Sequence, residues 1–216
     1  MASPRKIRVA VLISGRGSNM VALIEAAKDP AYPAEIVLVL SNRPDAAGLG
    51  RAAEAGIPAR AVDHRAFPDR ASFDAALDAE LRAADVDLVC LAGFMRIFTP
   101  AFVAGWAGRM LNIHPSLLPL FKGTHTHAQA LEAGVRLHGC TVHFVVPELD
   151  AGPIVAQAAI PVREGDDPDS LADRVIVQER RLYPAVLAMV AGGRARLEGD
   201  RVVIADTAPE GVLFSV

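Results

Sequence analysis

Short apolar runs alternate with amphipathic stretches along the first half of the chain. Ile7–Ser14 (IRVAVLIS), Glu35–Asn42 (EIVLVLSN), Ala59–Asp63 (ARAVD), Asp87–Phe94 (DLVCLAGF) and the run starting at Met110 (MLNIH) have the length and composition of strands. Helical patterns fill the intervals at Ser18–Lys28, Ala46–Ala55 and Ser72–Ala84. Strands that are apolar on both faces and separated by helices predict a parallel sheet covered on both sides.

After Thr124 the rhythm changes. The runs GCTVHFVV (Gly139–Val146) and PIVAQAAIPV (Pro153–Val162) are joined only by PELDAG, too short for a helical crossover, so they extend the sheet in antiparallel or mixed fashion. A long helix is predicted over Pro168–Ala191, and RARLEGDRVVI forms a terminal hairpin turning at Glu198–Asp200. No linker, repeat or low-complexity tract divides the chain. The expectation is one domain over residues 1–216, an α/β Rossmann-like three-layer fold with a mostly parallel, seven-stranded sheet and mixed C-terminal strands.

Slightly more than half of the 216 residues are apolar, enough for a sizeable core. A net charge of −3 gives no general attraction to nucleic acid or an anionic membrane, so any phosphate binding must be local. Cys90 and Cys140 fall inside apolar runs and read as buried free thiols. The N-terminal apolar segment is about eight residues long with no small-residue cleavage site after it, which predicts a soluble, cytoplasmic protein.

Three stretches carry candidate chemistry. SGRGSN (Ser14–Asn19) follows the first strand and opens a helix, with Ser18 or Asn19 as N-cap. Glycines and free N–H groups at a helix start suit an anion, although an ordinary strand-to-helix turn fits the same residues. The stretch is neither a P-loop nor G-x-G-x-x-G, and Asp45 lies beyond a proline, so a nicotinamide cofactor is a poor second reading. Asn112 and His114 sit two apart in a strand, hence on one face, at the carboxyl edge where open parallel sheets bind ligands. Pro115 ends the strand there, and the LLP exit admits a cis Leu118–Pro119 bond. Glu148 and Asp150 lie in the loop between the last two sheet strands. They are ordinary solvated carboxylates unless the loop folds back on His114, where a carboxylate would raise the imidazole pKa and fix its tautomer. His125 and His127 lack HExxH spacing and a nearby Cys or carboxylate, so no metal site is expected.

Together LISGRGSN, LAGFMRIF, NIHPSLLPLFKG and GCTVHFVVPELDAGP resemble, in order and spacing, the phosphoribosylglycinamide formyltransferase family of purine synthesis, over about Ile7–Gly192. The resemblance implies formyl transfer from 10-formyltetrahydrofolate, as cosubstrate and without metal, to the amine of glycinamide ribonucleotide. It implies Asn112, His114 and Asp150 as catalytic residues. Gly17, Ser18 and Asn19 would hold the substrate phosphate, and Glu179, otherwise readable as a solvated helix charge, would bind the sugar hydroxyls. Arg70, Met95, Arg96, Ile97, Phe98, Asn112, Val146 and Asp150 would form the folate side. Arg16 occupies a variable place in the phosphate loop, and Ile176 stands where some members carry a polar or basic residue.

By the same resemblance, residues about 1–108 form the phosphate-binding half, about 109–192 the folate and catalytic half, and 193–216 a hairpin and tail. The expected partners are the two small molecules, not nucleic acid or membrane, with the chain a monomer or homodimer. The alternatives are a formyltetrahydrofolate hydrolase, a family with an additional N-terminal domain, and a catalytically silent nucleotide-binding module. The tRNA-directed formyltransferases carry a further C-terminal domain for which this chain has no length.

Overall fold

The computed structural model describes residues 5–205; the expectations for residues 1–4 and for the tail 206–216 lie outside the described residues. One sheet contains β1 (Ile7–Ile13), β2 (Ala34–Ser41), β3 (Ala59–Ala61), β4 (Leu88–Leu91), β5 (Met110–His114), β6 (Leu137–Phe144) and β7 (Ile154–Pro161), in the order β3-β2-β1-β4-β5-β6-β7. The first five strands run parallel, β6 pairs antiparallel with β5, and β7 antiparallel with β6. Among the described residues six α-helices accompany them: α1 (Ser18–Ala27), α2 (Ala47–Glu54), α3 (Arg70–Ala83), α4 (Pro100–Gly105), α5 (Thr126–Glu132) and α6 (Pro168–Ala191). The hairpin of β8 (Ala195–Glu198) and β9 (Arg201–Ile204) forms a separate two-stranded sheet. This is the expected α/β architecture.

Alternate side chains of β1 serve two cores. Val9, Val11 and Ile13 pack with Met20 and Leu23 of α1 and with Leu171, Val175 and Val186 of α6. Ala10 and Leu12 join Phe73, Leu77 and Leu81 of α3 and Phe102 of α4 on the other face. Burial on both faces removes the polar alternation that a half-exposed strand would show. Tyr183 of α6 reaches into this interior, where its hydroxyl is shared between the carbonyls of Leu91 and Leu111 at 3.1 and 3.2 Å. Both cysteines are buried and free, and burial pushes each thiol up to about 12.

Local signals place the helix starts. Asp167 and Ser170 form a reciprocal capping box on α6, with Pro168 in its first turn. Asp69 caps α3 and Thr99 caps α4. The helix α4 was not expected, since its six residues are too few to show a period; Thr99-Pro100 is its only sequence signal. β4 also stops earlier than the apolar run, because Gly93 adopts φ 75° and turns the chain away. Leu118–Pro119 is cis.

The strand order reverses beside β1: the chain moves outward through β2 and β3, then returns to place β4 on the other side of β1. Loops leaving β1 and β4 therefore diverge at their carboxyl ends, opening a crevice of the kind that binds ligands in α/β sheets.

Candidate active site

The loop after β1 reaches α1 through Gly17, which takes φ 70° as the N-cap residue; neither Ser18 nor Asn19 occupies that position, as the sequence had suggested. No side chain caps the helix, and its first bond runs from the Val21 N–H to the Gly17 carbonyl. The three N–H groups before Val21 thus have no helical acceptor and sit at the positive end of the helix dipole. The loop is braced by α2, whose Gly48 N–H donates to the Gly15 carbonyl at 3.0 Å. A Cβ at Gly48 would lie 2.4 Å from the Ile13 side chain and 3.0 Å from that carbonyl oxygen, so a larger residue would crowd the contact. Arg16 is exposed and forms no ion pair or hydrogen bond among the described residues.

Asn19 turns inward from this loop. Its Nδ2 donates to Glu179 Oε2 of α6 at 2.6 Å, and its buried Oδ1 has no hydrogen-bond partner among the described residues. Both side chains are almost wholly enclosed; burial raises the Glu179 carboxyl above its ordinary value, opposed by the Asn19 hydrogen bond. Ile176 is half-buried on the same helix, one turn earlier.

On β5 the period of two does put Asn112 and His114 on one face, opposite Leu111 and Ile113 of the first core. His114 Nε2 lies 2.9 Å from the Phe121 carbonyl, so this nitrogen carries the hydrogen. Its Nδ1 faces Asp150 Oδ2 at 3.5 Å, an ion-pair distance with both side chains largely buried. Asp150 arrives because the β6–β7 loop folds back. Its backbone is left-handed, with φ 48°, and the Gly123 N–H donates to its Oδ2 at 2.8 Å. Two residues on, a Cβ at Gly152 would sit 1.8 Å from the Phe144 carbonyl oxygen. That close approach explains the glycine in Asp-Ala-Gly.

His143 belongs to the same cluster and was missed in the sequence. It pairs across the β5–β6 ladder with Asn112 and is buried. Its Nδ1 donates to the Phe144 carbonyl at 2.9 Å, which leaves Nε2 as an acceptor for the Asn112 amide at 3.1 Å. The same Nε2 lies 3.9 Å from Asp150 Oδ1, and burial lowers the ring's pKa, favouring the neutral form this bond needs. A histidine two places from Thr141 inside an apolar run was the available signal.

Among the described residues, the other expected ones make no hydrogen bond to the histidine cluster. Met95 and Ile97 are exposed in the segment after β4, and Arg96 lies between them. Phe98 instead turns inward, its ring stacked between Phe94 and Phe102 at centroid distances of 5.3 and 4.5 Å. Val146 is half-buried at the start of the loop to Asp150. Arg70 opens α3 and is exposed, with no hydrogen bond tying it to the histidine cluster. His127 bonds His138 rather than His125, at 3.1 Å. Among the described residues no group of three or more His, Cys, Asp or Glu is arranged to hold a metal, and no helix is long and apolar enough to cross a membrane.

A family model described as formyl transferase matches residues 7–187. Phosphoribosylglycinamide formyltransferase of Escherichia coli is 48% identical over 191 residues, covering 88% of this chain and 90% of that protein. The trifunctional purine biosynthetic protein adenosine-3 of Bos taurus is 52% identical over 200 residues, and there the chain spans only 20% of the relative's length. The crystal structure of glycinamide ribonucleotide transformylase 1 from Symbiobacterium toebii superposes with a TM-score of 0.91 at 47% identity, covering 94% of this chain and 96% of that one. On this match of sequence and fold across nearly its whole length, the chain belongs to the formyl transferase family.

Proposed function

We propose that the protein transfers the formyl group of 10-formyltetrahydrofolate to the amine of 5'-phosphoribosylglycinamide, a step of purine biosynthesis in the cytoplasm. The observation that carries this reading is the enclosed Asn112–His143–Asp150–His114 cluster at the carboxyl edge of β5. The uncapped start of α1 lies at the same edge of the sheet, beside the strand reversal.

Residues about 1–108 supply the phosphate side. The free N–H groups of Ser18 and Asn19, reached through the left-handed Gly17, take the phosphate of the ribonucleotide, with the exposed Arg16 beside them. Glu179, held by Asn19, accepts from the sugar hydroxyls. Residues about 109–192 supply the catalytic side, and the exposed apolar side chains of Met95 and Ile97 suit the flat pterin of a folate. When bound, 10-formyltetrahydrofolate supplies a formyl carbon open to attack by an amine.

Asn112 gives one Nδ2 hydrogen to His143 and keeps the other for the oxygen that becomes negative as the amine adds. A preorganised donor of this kind lowers such a barrier by about 3 kcal/mol. His114 has its Nε2 hydrogen committed to Phe121, so Nδ1 is the atom that holds or passes a proton. Asp150, fixed by Gly123, keeps a negative charge beside that nitrogen and supports the imidazolium while the proton moves from amine to leaving nitrogen. Acid–base help of this type contributes roughly 10² to 10⁴-fold.

The test is to incubate the protein with 10-formyltetrahydrofolate in the presence and absence of the ribonucleotide. Deformylated folate is expected only when the ribonucleotide is present. Formate release without it would make the protein a hydrolase, and no turnover under either condition would leave a binding module.

A further inference from the structure

The crevice has two walls that must keep a fixed separation if an amine on one side is to meet a formyl carbon on the other. One wall is the loop after β1, the other the segment Ala92–Thr99 after β4. They leave neighbouring parallel strands at the strand reversal; past the end of β4 the main chain joins them through the Ala92 N–H to the Leu12 carbonyl and the Ser14 N–H to the Gly93 carbonyl, and from Met95 onward that backbone pairing has ended.

Ser14 spans that gap. It is the residue just past β1 and immediately precedes the phosphate loop. Its N–H donates to the Gly93 carbonyl at 3.1 Å, and its Oγ accepts the Met95 N–H at 2.7 Å. The Oγ hydrogen goes to Asn42 Oδ1 at 2.6 Å, at the end of β2. Both Ser14 and Asn42 are buried. Asn42 is anchored in turn, since His64 Nδ1 donates to its carbonyl at 2.9 Å. The far end of the same segment is pinned independently: the Thr99 N–H donates to buried Asp74 of α3 at 2.7 Å. Between the pins Phe94 and Phe98 are sunk in the core, and Met95, Arg96 and Ile97 are left standing out.

We propose that Ser14 is a positioning residue, which acts through the Met95 backbone to set the folate-side wall against the phosphate loop. This rests on the formyl-transfer reading above. The phosphate loop does not depend on the Ser14 hydroxyl, because Gly48 braces it separately. Removing the hydroxyl therefore loosens the folate wall at Met95, while the Ser14 N–H keeps its bond to Gly93 and the ribonucleotide side stays in place. It also strands two polar groups, the Met95 N–H and Asn42 Oδ1.

Steady-state transfer rates, varying each substrate separately, test this in the wild type and in Ser14→Ala, Ser14→Thr, Asn42→Ala and the Ser14→Ala/Asn42→Ala pair. Ser14→Ala is expected to raise KM for 10-formyltetrahydrofolate about tenfold, the loss of one well-placed buried hydrogen bond, with KM for the ribonucleotide within about twofold. Ser14→Thr keeps the hydroxyl and is expected to restore most of the folate KM. Asn42→Ala should raise the same KM by less, and the pair should be no worse than Ser14→Ala alone. If Ser14→Ala does not fold, Asn42→Ala and Ser14→Thr carry the comparison. Equal rises in both KM values, or a folate KM unchanged in the hydroxyl-free variants, overturn the proposal while wild-type transfer stands. A wild type that transfers nothing overturns the function reading itself and this inference with it.

Discussion

Asp150 tests charge separately from shape. Its left-handed φ of 48° is tolerated by asparagine as readily as by aspartate, so Asp150→Asn keeps the loop and the Gly123 hydrogen bond while removing the charge beside His114. Turnover is expected to fall about 10²-fold with the unfolding midpoint little changed; wild-type kcat in this variant would show that the charge does not act in the reaction. His143 makes a second case. His143→Phe preserves the ring's volume but removes the acceptor that holds the Asn112 amide, and it leaves the Phe144 carbonyl without its donor. We expect kcat to drop roughly tenfold with both KM values near normal, alongside a stability loss of about 1–3 kcal/mol. A fall in stability with kcat intact would confine His143 to a structural role. Asn112 and His114 were legible because a period of two needs only their own strand. His143 was not, since its role exists only once β6 is known to pair antiparallel with β5 in the register that sets it opposite Asn112.

Elements acquire their shape here from a few close approaches. The β6–β7 connection could not be resolved from spacing, because a loop with two carboxylates is usually solvated; Asp150 was assigned through the resemblance. What folds that loop back is the contact of Gly152 with the Phe144 carbonyl, and spacing carries no record of it. Gly152→Ala must push a backbone oxygen aside rather than a flexible side chain. It is expected to cost about 1–3 kcal/mol and to lower turnover well beyond that of a surface Gly→Ala, by withdrawing Asp150 from His114. Far-ultraviolet circular dichroism with urea melts, set beside kcat, checks both parts; a variant with full turnover would separate the glycine from the site. The long α6 was readable to its last residue because Asp167-Pro168 and Ser170 mark its start and its apolar stripe persists for 24 residues. The segment after β4 was misread as more strand because Phe94 continues the apolar run, and only the positive φ of Gly93 ends it.

At the scale of the whole molecule, the layer order followed from apolar strands alternating with helices and was within reach of pattern alone. The strand order that places the crevice was not, and neither were the buried polar groups that tie the layers together. His138 of β6 is one such group. It is fully enclosed, bonded through Nε2 to His127 of α5, and near His114. Burial, with smaller contributions from those two histidines, lowers its pKa from 6.5 to about 4; burial lowers His127 and His143 in the same direction. Between those limits the unfolded chain binds the proton that the folded chain refuses, so the unfolded state gains stability as pH falls. The fold should therefore keep its full stability above about pH 6.5 and lose it progressively toward pH 4. From pH 7 to pH 5 the loss attributable to His138 is roughly 1–2 kcal/mol. Urea unfolding at the two pH values, compared with His138→Leu, checks the assignment. The variant should show a shallower pH dependence that His127 and His143 keep from vanishing, and a slope identical to wild type would rule out His138 as the group responsible.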